Sequence, residues 1–149
     1  MRDVSVELGP ESGPVAEALL RAGFRPAGAA PWARVVTAEE ATFEAVSLDV
    51  AWVLEGGVLV VCGGTGPLLA ALHLTLAETP VDAPVEPLAP GAPPLPLARA
   101  LPVTGVGYAL YGAGDHCVAI AGRRGDGWVL CVGTAEPLLV AAGLSWIAS

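Results

Sequence analysis

The chain contains no lysine, no asparagine and no glutamine, so its whole positive charge comes from seven arginines set against fifteen acids. A formal net charge of −8 argues against broad binding to a phosphate backbone, where clustered cations supply most of the affinity. Nucleic acid is therefore not an expected partner. The missing amides, together with many Ala, Gly, Pro and Arg residues, match a GC-biased genome and a thermophile-like composition in which labile side chains are reduced. Charged residues are scarce at 15% and aromatic residues at 5%, while hydrophobic residues reach 54%. Either the core is large or part of the surface is covered by another subunit. No stretch approaches the roughly 20 uninterrupted apolar residues that a spanning helix needs, so no membrane partner is expected. Glu7 and Glu11 interrupt any apolar run near the start, which leads to the expectation of a cytoplasmic protein.

Cysteine is also sparse. Cys62, Cys117 and Cys131 each sit inside an apolar run, with no CxxC spacing and no histidine in a metal-binding rhythm, so no metal site is expected. They read as small buried hydrophobes, with a reactive Cys117 beside His116 as the alternative. Adjacent residues of a strand point to opposite faces, which separates that pair.

At 149 residues a single domain covering residues 1–149 is expected. Val4 to Leu8 alternates as a half-buried strand, and Gly9-Pro10 stops it. A helix from Val15 to Ala22 follows, with Pro14 in its first turn and Gly23 at its end. Arg34-Val35-Val36 is extended, and Thr37 with Glu40 forms a capping-box pattern that opens a helix over 38–54. Gly56-Gly57 ends it. Val58 to Cys62 is then a continuous apolar run, as expected of a parallel strand covered on both faces. After the turn Gly63-Gly64-Thr65-Gly66, residues 68–77 read as a helix. Eight of the fourteen prolines fall in 79–102, which excludes a long helix or a central strand and makes this a proline-stiffened connection packed on the surface or on a neighbouring subunit. Three further strand-like runs follow, the last two joined through Gly122 to Gly127 by a hairpin built on Asp126-Gly127. A final helix over 135–147 has Thr134 as its candidate cap. Alternating strands and helices predict an α/β fold, a three-layer sandwich with a mostly parallel central sheet and a small β-hairpin in the C-terminal third.

The strand-turn-helix around Gly63 to Gly66 is the leading candidate site. Glycines let a ligand approach the backbone, and a helix start offers free N–H groups to an anion. The turn lacks both the GK[ST] of a P-loop and the spacing of a dinucleotide motif. A second such unit carries Gly133-Thr134-Ala135-Glu136-Pro137. Should both strands be parallel neighbours, the two turns would meet at the carboxyl edge of the sheet, where open α/β sheets bind ligands. Gly63, Gly64, Thr65, Gly66, Gly133 and Thr134 are thus the candidate ligand-binding residues for a small anionic ligand received through an anionic oxygen or phosphate. Arg123 and Arg124 are weighed as phosphate contacts against solvated turn charges, and His73 as a ligand against a packing or surface role. Trp32, Trp52, Trp128 and Trp146 are read as core or interface anchors.

In order and spacing, Ser12-Gly13-Pro14, Ala22-Gly23-Phe24, the capped helix after Val35-Val36, the strand Val58 to Cys62 and the Gly63-Gly64-Thr65-Gly66 turn resemble the molybdopterin-binding domain of molybdenum-cofactor biosynthesis proteins. Gly133 to Pro137 stands where that family carries its turn before the last helix. The resemblance implies a homo-oligomer, often a trimer, that binds molybdopterin or its adenylylated form with ATP and Mg²⁺. Ala70 and Ala71 occupy the place of the Arg-Asp pair of adenylyl-transfer members, and Thr37 and Ala38 the place of a further Asp. Methyl groups cannot hold Mg²⁺ through oxygen. Glu39 or Glu40 could stand in, although both also fit a helix N-terminus. The expectation is a molybdopterin- or nucleotide-binding domain with no assigned catalytic residue. The alternatives are a non-catalytic oligomeric interaction protein that kept the fold, and a molybdopterin adenylyltransferase.

Overall fold

The computed structural model of the chain describes residues 5–7, 13–26, 32–36, 43–62, 67–133 and 136–148. In order these form β1 (Ser5–Glu7), α1 (Gly13–Arg21), β2 (Arg25–Pro26), β3 (Ala33–Val36), α2 (Phe43–Leu54), β4 (Val58–Cys62), α3 (Pro67–Ala71), β5 (Leu74–Leu76), β6 (Val85–Pro87), β7 (Val103–Gly105), β8 (Tyr108–Ala113), β9 (His116–Arg124), β10 (Gly127–Val132) and α4 (Pro137–Ala148).

The first two helices end as their glycines require. Gly56 has φ +123°, its N–H donates to the Val53 carbonyl at 3.0 Å, and the Gly57 N–H reaches the Trp52 carbonyl at 3.0 Å. The same paired bonds run from Gly23 to Leu20 and from Phe24 to Leu19, and the buried Phe24 and Leu19 side chains complete the stop. Each turns the chain sharply back toward the sheet.

That sheet has eight strands in the order β2-β1-β3-β4-β10-β9-β8-β6. The first four pairings are parallel and the last three antiparallel. Strand β4 lies at its centre, buried along its whole length, and its alternation splits the core. Val58, Val60 and Cys62 face one side with Leu19, Leu130, Leu139 and Leu144, while Leu59 and Val61 face the other with Val46, Val53, Leu68 and Val129. The sequence expectation of a strand covered on both faces is realised there.

The three-layer sandwich around a mostly parallel sheet is corrected. Among the described residues strands outnumber helices ten to four, and the sheet is mixed. In place of the small hairpin expected in the C-terminal third stands the nine-residue β9 with β8 and β10 on either side, three long antiparallel strands that build much of the sheet. Its tight connection is Gly125-Asp126, one residue earlier than the Asp-Gly expected. The covering of this half is also different in kind. Half-buried Val81, Ala83, Leu95 and Leu97 of the proline-rich segment lie over one face, and β7, paired with β5 in a separate two-stranded ladder, packs beside β9.

Helix α3 departs from its expected span, stopping at Ala71 instead of running to 77. His73 adopts a left-handed conformation at φ +59°, and Leu74 to Leu76 pair antiparallel with Val103 to Gly105. Leu72-His73-Leu74-Thr75-Leu76 alternates with period two, and burial of Leu72 and Leu74 rewards that alternation.

The proline-rich segment folds back on itself as a strap. Ala77 N–H donates to the Pro102 carbonyl at 2.9 Å, Val81 and Ala100 exchange bonds, and Val85 N–H donates to Leu97 at 2.8 Å. Two aromatic side chains tie it to the domain: the fully buried Tyr111 hydroxyl donates to the Pro93 carbonyl at 2.7 Å, and Trp146 Nε1 donates to Pro90 at 3.0 Å.

Candidate functional site

Strands β3, β4 and β10 are parallel neighbours whose carboxyl ends line up, Val36 beside Val61 and Val132 beside Cys62. The condition set by the sequence for two turns leaving one edge is therefore met. Of the six candidate residues, Gly63, Gly64, Thr65, Gly66 and Thr134 lie outside the described residues, as do Thr37, Ala38, Glu39 and Glu40. Gly133 is described and buried, and a side chain there would run into the Leu101 Cβ, with the Leu101 carbonyl oxygen 3.0 Å away. The strap thus closes over this position.

The two helices behind the edge differ from what an anion site needs. Helix α3 has only five residues, so its aligned dipole is small. Helix α4 has twelve, but the Glu136 Oε1 already accepts the Leu138 N–H at 3.2 Å. A carboxylate of the chain itself takes the place an external oxygen would fill. Ala70 and Ala71 are exposed methyl groups on α3.

Cys62 and Cys131 are buried as read from the sequence, and Cys117 only partly so. Burial pushes Cys62 up to about 12 and Cys131 up to about 12, the latter raised further by Cys62 and Cys117. Cys117 is half-buried; burial raises its pKa, and a 3.3 Å bond from its Sγ to the Ala119 carbonyl pulls the other way. A thiolate is the nucleophile, so these shifts oppose reactivity at neutral pH. His116 is exposed while Cys117 packs inward. Among the described residues no group of three or more His, Cys, Asp or Glu side chains could hold a metal. His73 sits exposed at the turn after α3.

The hairpin arginines turn back onto the protein. Arg124 sends Nη2 and Nε to the Leu72 carbonyl at 2.7 and 3.2 Å, Nη2 to Val106 at 2.8 Å and Nη1 to Arg123 at 3.0 Å. Its guanidinium thereby caps the last turn of α3, and partial burial lowers its pKa. Arg34 on β3 makes a comparable inward contact, pairing with the buried Asp49 of α2 at 3.1 Å and lying 5.5 Å from the Trp52 ring centre.

Arg123 instead lies over Trp128, 5.7 Å from its ring centre. This contact belongs to a cluster at the opposite end of the sheet. Tyr108, Trp128 and Trp146 stand 5.8 to 6.2 Å apart centre to centre, with the two tryptophans edge to face. Hairpin register sets Trp128 directly across from Arg123, and α4 brings Trp146 against Trp128 and Tyr108. The two tryptophans are half-buried, whereas Tyr108 is 60% exposed and the adjoining Val106 66%. The sequence marked Trp128 and Trp146 as anchors but could not join them to Tyr108, because that requires the β8-β9-β10 register. Tyrosine, tryptophan and arginine gathered in one place are the residue types that dominate binding energy at protein interfaces.

No helix among the described residues is long and apolar enough to cross a membrane. No protein-family model matches the chain, and no curated protein sequence does. The fold is nevertheless found in solved structures. The β-galactosidase from Rahnella sp. R3 superposes with a TM-score of 0.66 at 16% identity over 99% of this chain and 31% of that one. The cytoplasmic protein STM3548 from Salmonella typhimurium gives 0.64 at 12% identity, covering 97% of this chain and 98% of its own. The mmIFT52 N-terminal domain gives 0.65 at 10% identity, with 98% and 97% covered. The chain spans about a third of the glycosidases it matches and nearly the whole of the other two. These likenesses establish the fold alone. They correct the resemblance to the molybdopterin-binding domain: the structural neighbours are glycosidase domains, bacterial cytoplasmic proteins and the mmIFT52 domain, so the molybdopterin and molybdenum-cofactor assignments fall with it.

Proposed function

We propose that this chain is a non-catalytic assembly domain whose copies meet through the aromatic end of the sheet. The observation that carries the reading is the Tyr108, Trp128 and Trp146 cluster, with Arg123 stacked on it and Tyr108 and Val106 left largely in solvent. A composition of 54% hydrophobic and 15% charged residues supports a partly covered surface. Raised thiol pKa values support a role without nucleophilic cysteine. The neighbouring fold occurring as one part of a β-galactosidase, and as nearly the whole of smaller chains, suits a module that works by being joined to something. Light scattering during size-exclusion chromatography tests this. The wild-type chain is expected to exceed the mass of one copy, and Tyr108→Glu with Val106→Asp to return it to one copy with its melting temperature retained. A wild-type chain that stays monomeric at every concentration overturns the reading.

One observation favours a second reading, that a small anionic ligand such as a nucleotide binds at the carboxyl edge. Strands β4 and β10 are parallel neighbours ending together at Cys62 and Val132. Open sheets bind ligands at such edges. A ligand that binds only the folded state raises the melting temperature by mass action. Inorganic phosphate and ATP with Mg²⁺ are the probes, and no shift at millimolar concentration removes this reading without touching the first.

A further inference from the structure

We draw no further inference here: the strongest candidate, the exposed row of Leu48, Ala51 and Leu54 along the outer side of α2, is an apolar helix face with nothing in the structure to show what covers it.

Discussion

Replacing Arg124 with alanine tests whether one guanidinium holds α3 against the rest of the sheet. The Leu72 carbonyl is one of the orphan acceptors at the end of α3, because His73 turns into the left-handed region. Arg124 supplies two of its N–H groups to that oxygen, at 2.7 and 3.2 Å. Hydrogen bonds from charged donors contribute roughly 1.5 to 3 kcal/mol when part-buried. The bonds to Val106 and Arg123 are exposed, and water replaces them at little loss. Arg124→Ala is therefore expected to destabilise the fold by about 2 kcal/mol, nearly all of it at Leu72. For a chain of this size that lowers the melting temperature by roughly 4 to 8 °C. Arg124→Lys keeps a point charge but loses the fork, so it is expected to recover about half of the loss. Urea and thermal unfolding followed by tryptophan fluorescence give both numbers. An alanine variant melting within a degree of wild type refutes the capping role, and a lysine variant as unstable as alanine refutes the charge-assisted part of it.

Four further outcomes follow from the packing of the core and the backbone around it. Since the folded pKa values of Cys62 and Cys131 are raised to about 12, protons leave the unfolded thiols first. Their stabilisation is complete below about pH 8.5 and is lost as pH rises toward 12, by about 1.4 kcal/mol per thiol per pH unit, which urea midpoints at pH 8 and 10 measure. Native protein treated with a thiol-reactive dye at neutral pH is expected to label at Cys117 first and at the other two only on unfolding, and three equally fast thiols contradict the packing. A methyl group at Gly127 would meet the Val53 and Gly57 carbonyls, backbone that cannot give way, so Gly127→Ala is expected to destabilise by roughly 1 to 3 kcal/mol or more in the same assay. Asp49→Ala removes the carboxylate that the Arg34 guanidinium pairs with beside Trp52; Arg34 keeps a third of its side chain in solvent, which holds the expected loss to about 1 to 3 kcal/mol, and an unchanged midpoint removes the pair from the account.

The parts of the fold legible in the sequence are those fixed by neighbours in the chain. Gly23 and Gly56 stop their helices through bonds spanning five residues, and the apolar run from Val58 to Cys62 announces burial on both faces. Features that depend on which strands lie side by side were not legible. The run from Trp128 to Val132 cannot say by itself whether its strand is parallel or antiparallel to its neighbours, and β10 is both, parallel to β4 and antiparallel to β9. The helix expected over 68–77 failed for a related reason: leucines at 68, 69, 72 and 76 fit a helical stripe, while the strand over 74–76 depends on Val103 arriving as a partner from beyond the strap. The family resemblance rested on the order of short units and one glycine turn, and unrelated folds share such units. The aromatic end was half legible, because its tryptophans stand out in any sequence but the exposure of Tyr108 exists only once β8 is placed.

Among the described strands both margins of the large sheet are proline-bearing, Pro26 in β2 and Pro87 in β6, and the Val85 N–H on the latter is already engaged by Leu97 of the strap. A ribbon terminated on each side in this way is a poor ladder for another chain to continue. Copies that gather would therefore meet through a face or a tip of the sheet and not by continuing its ladder sideways.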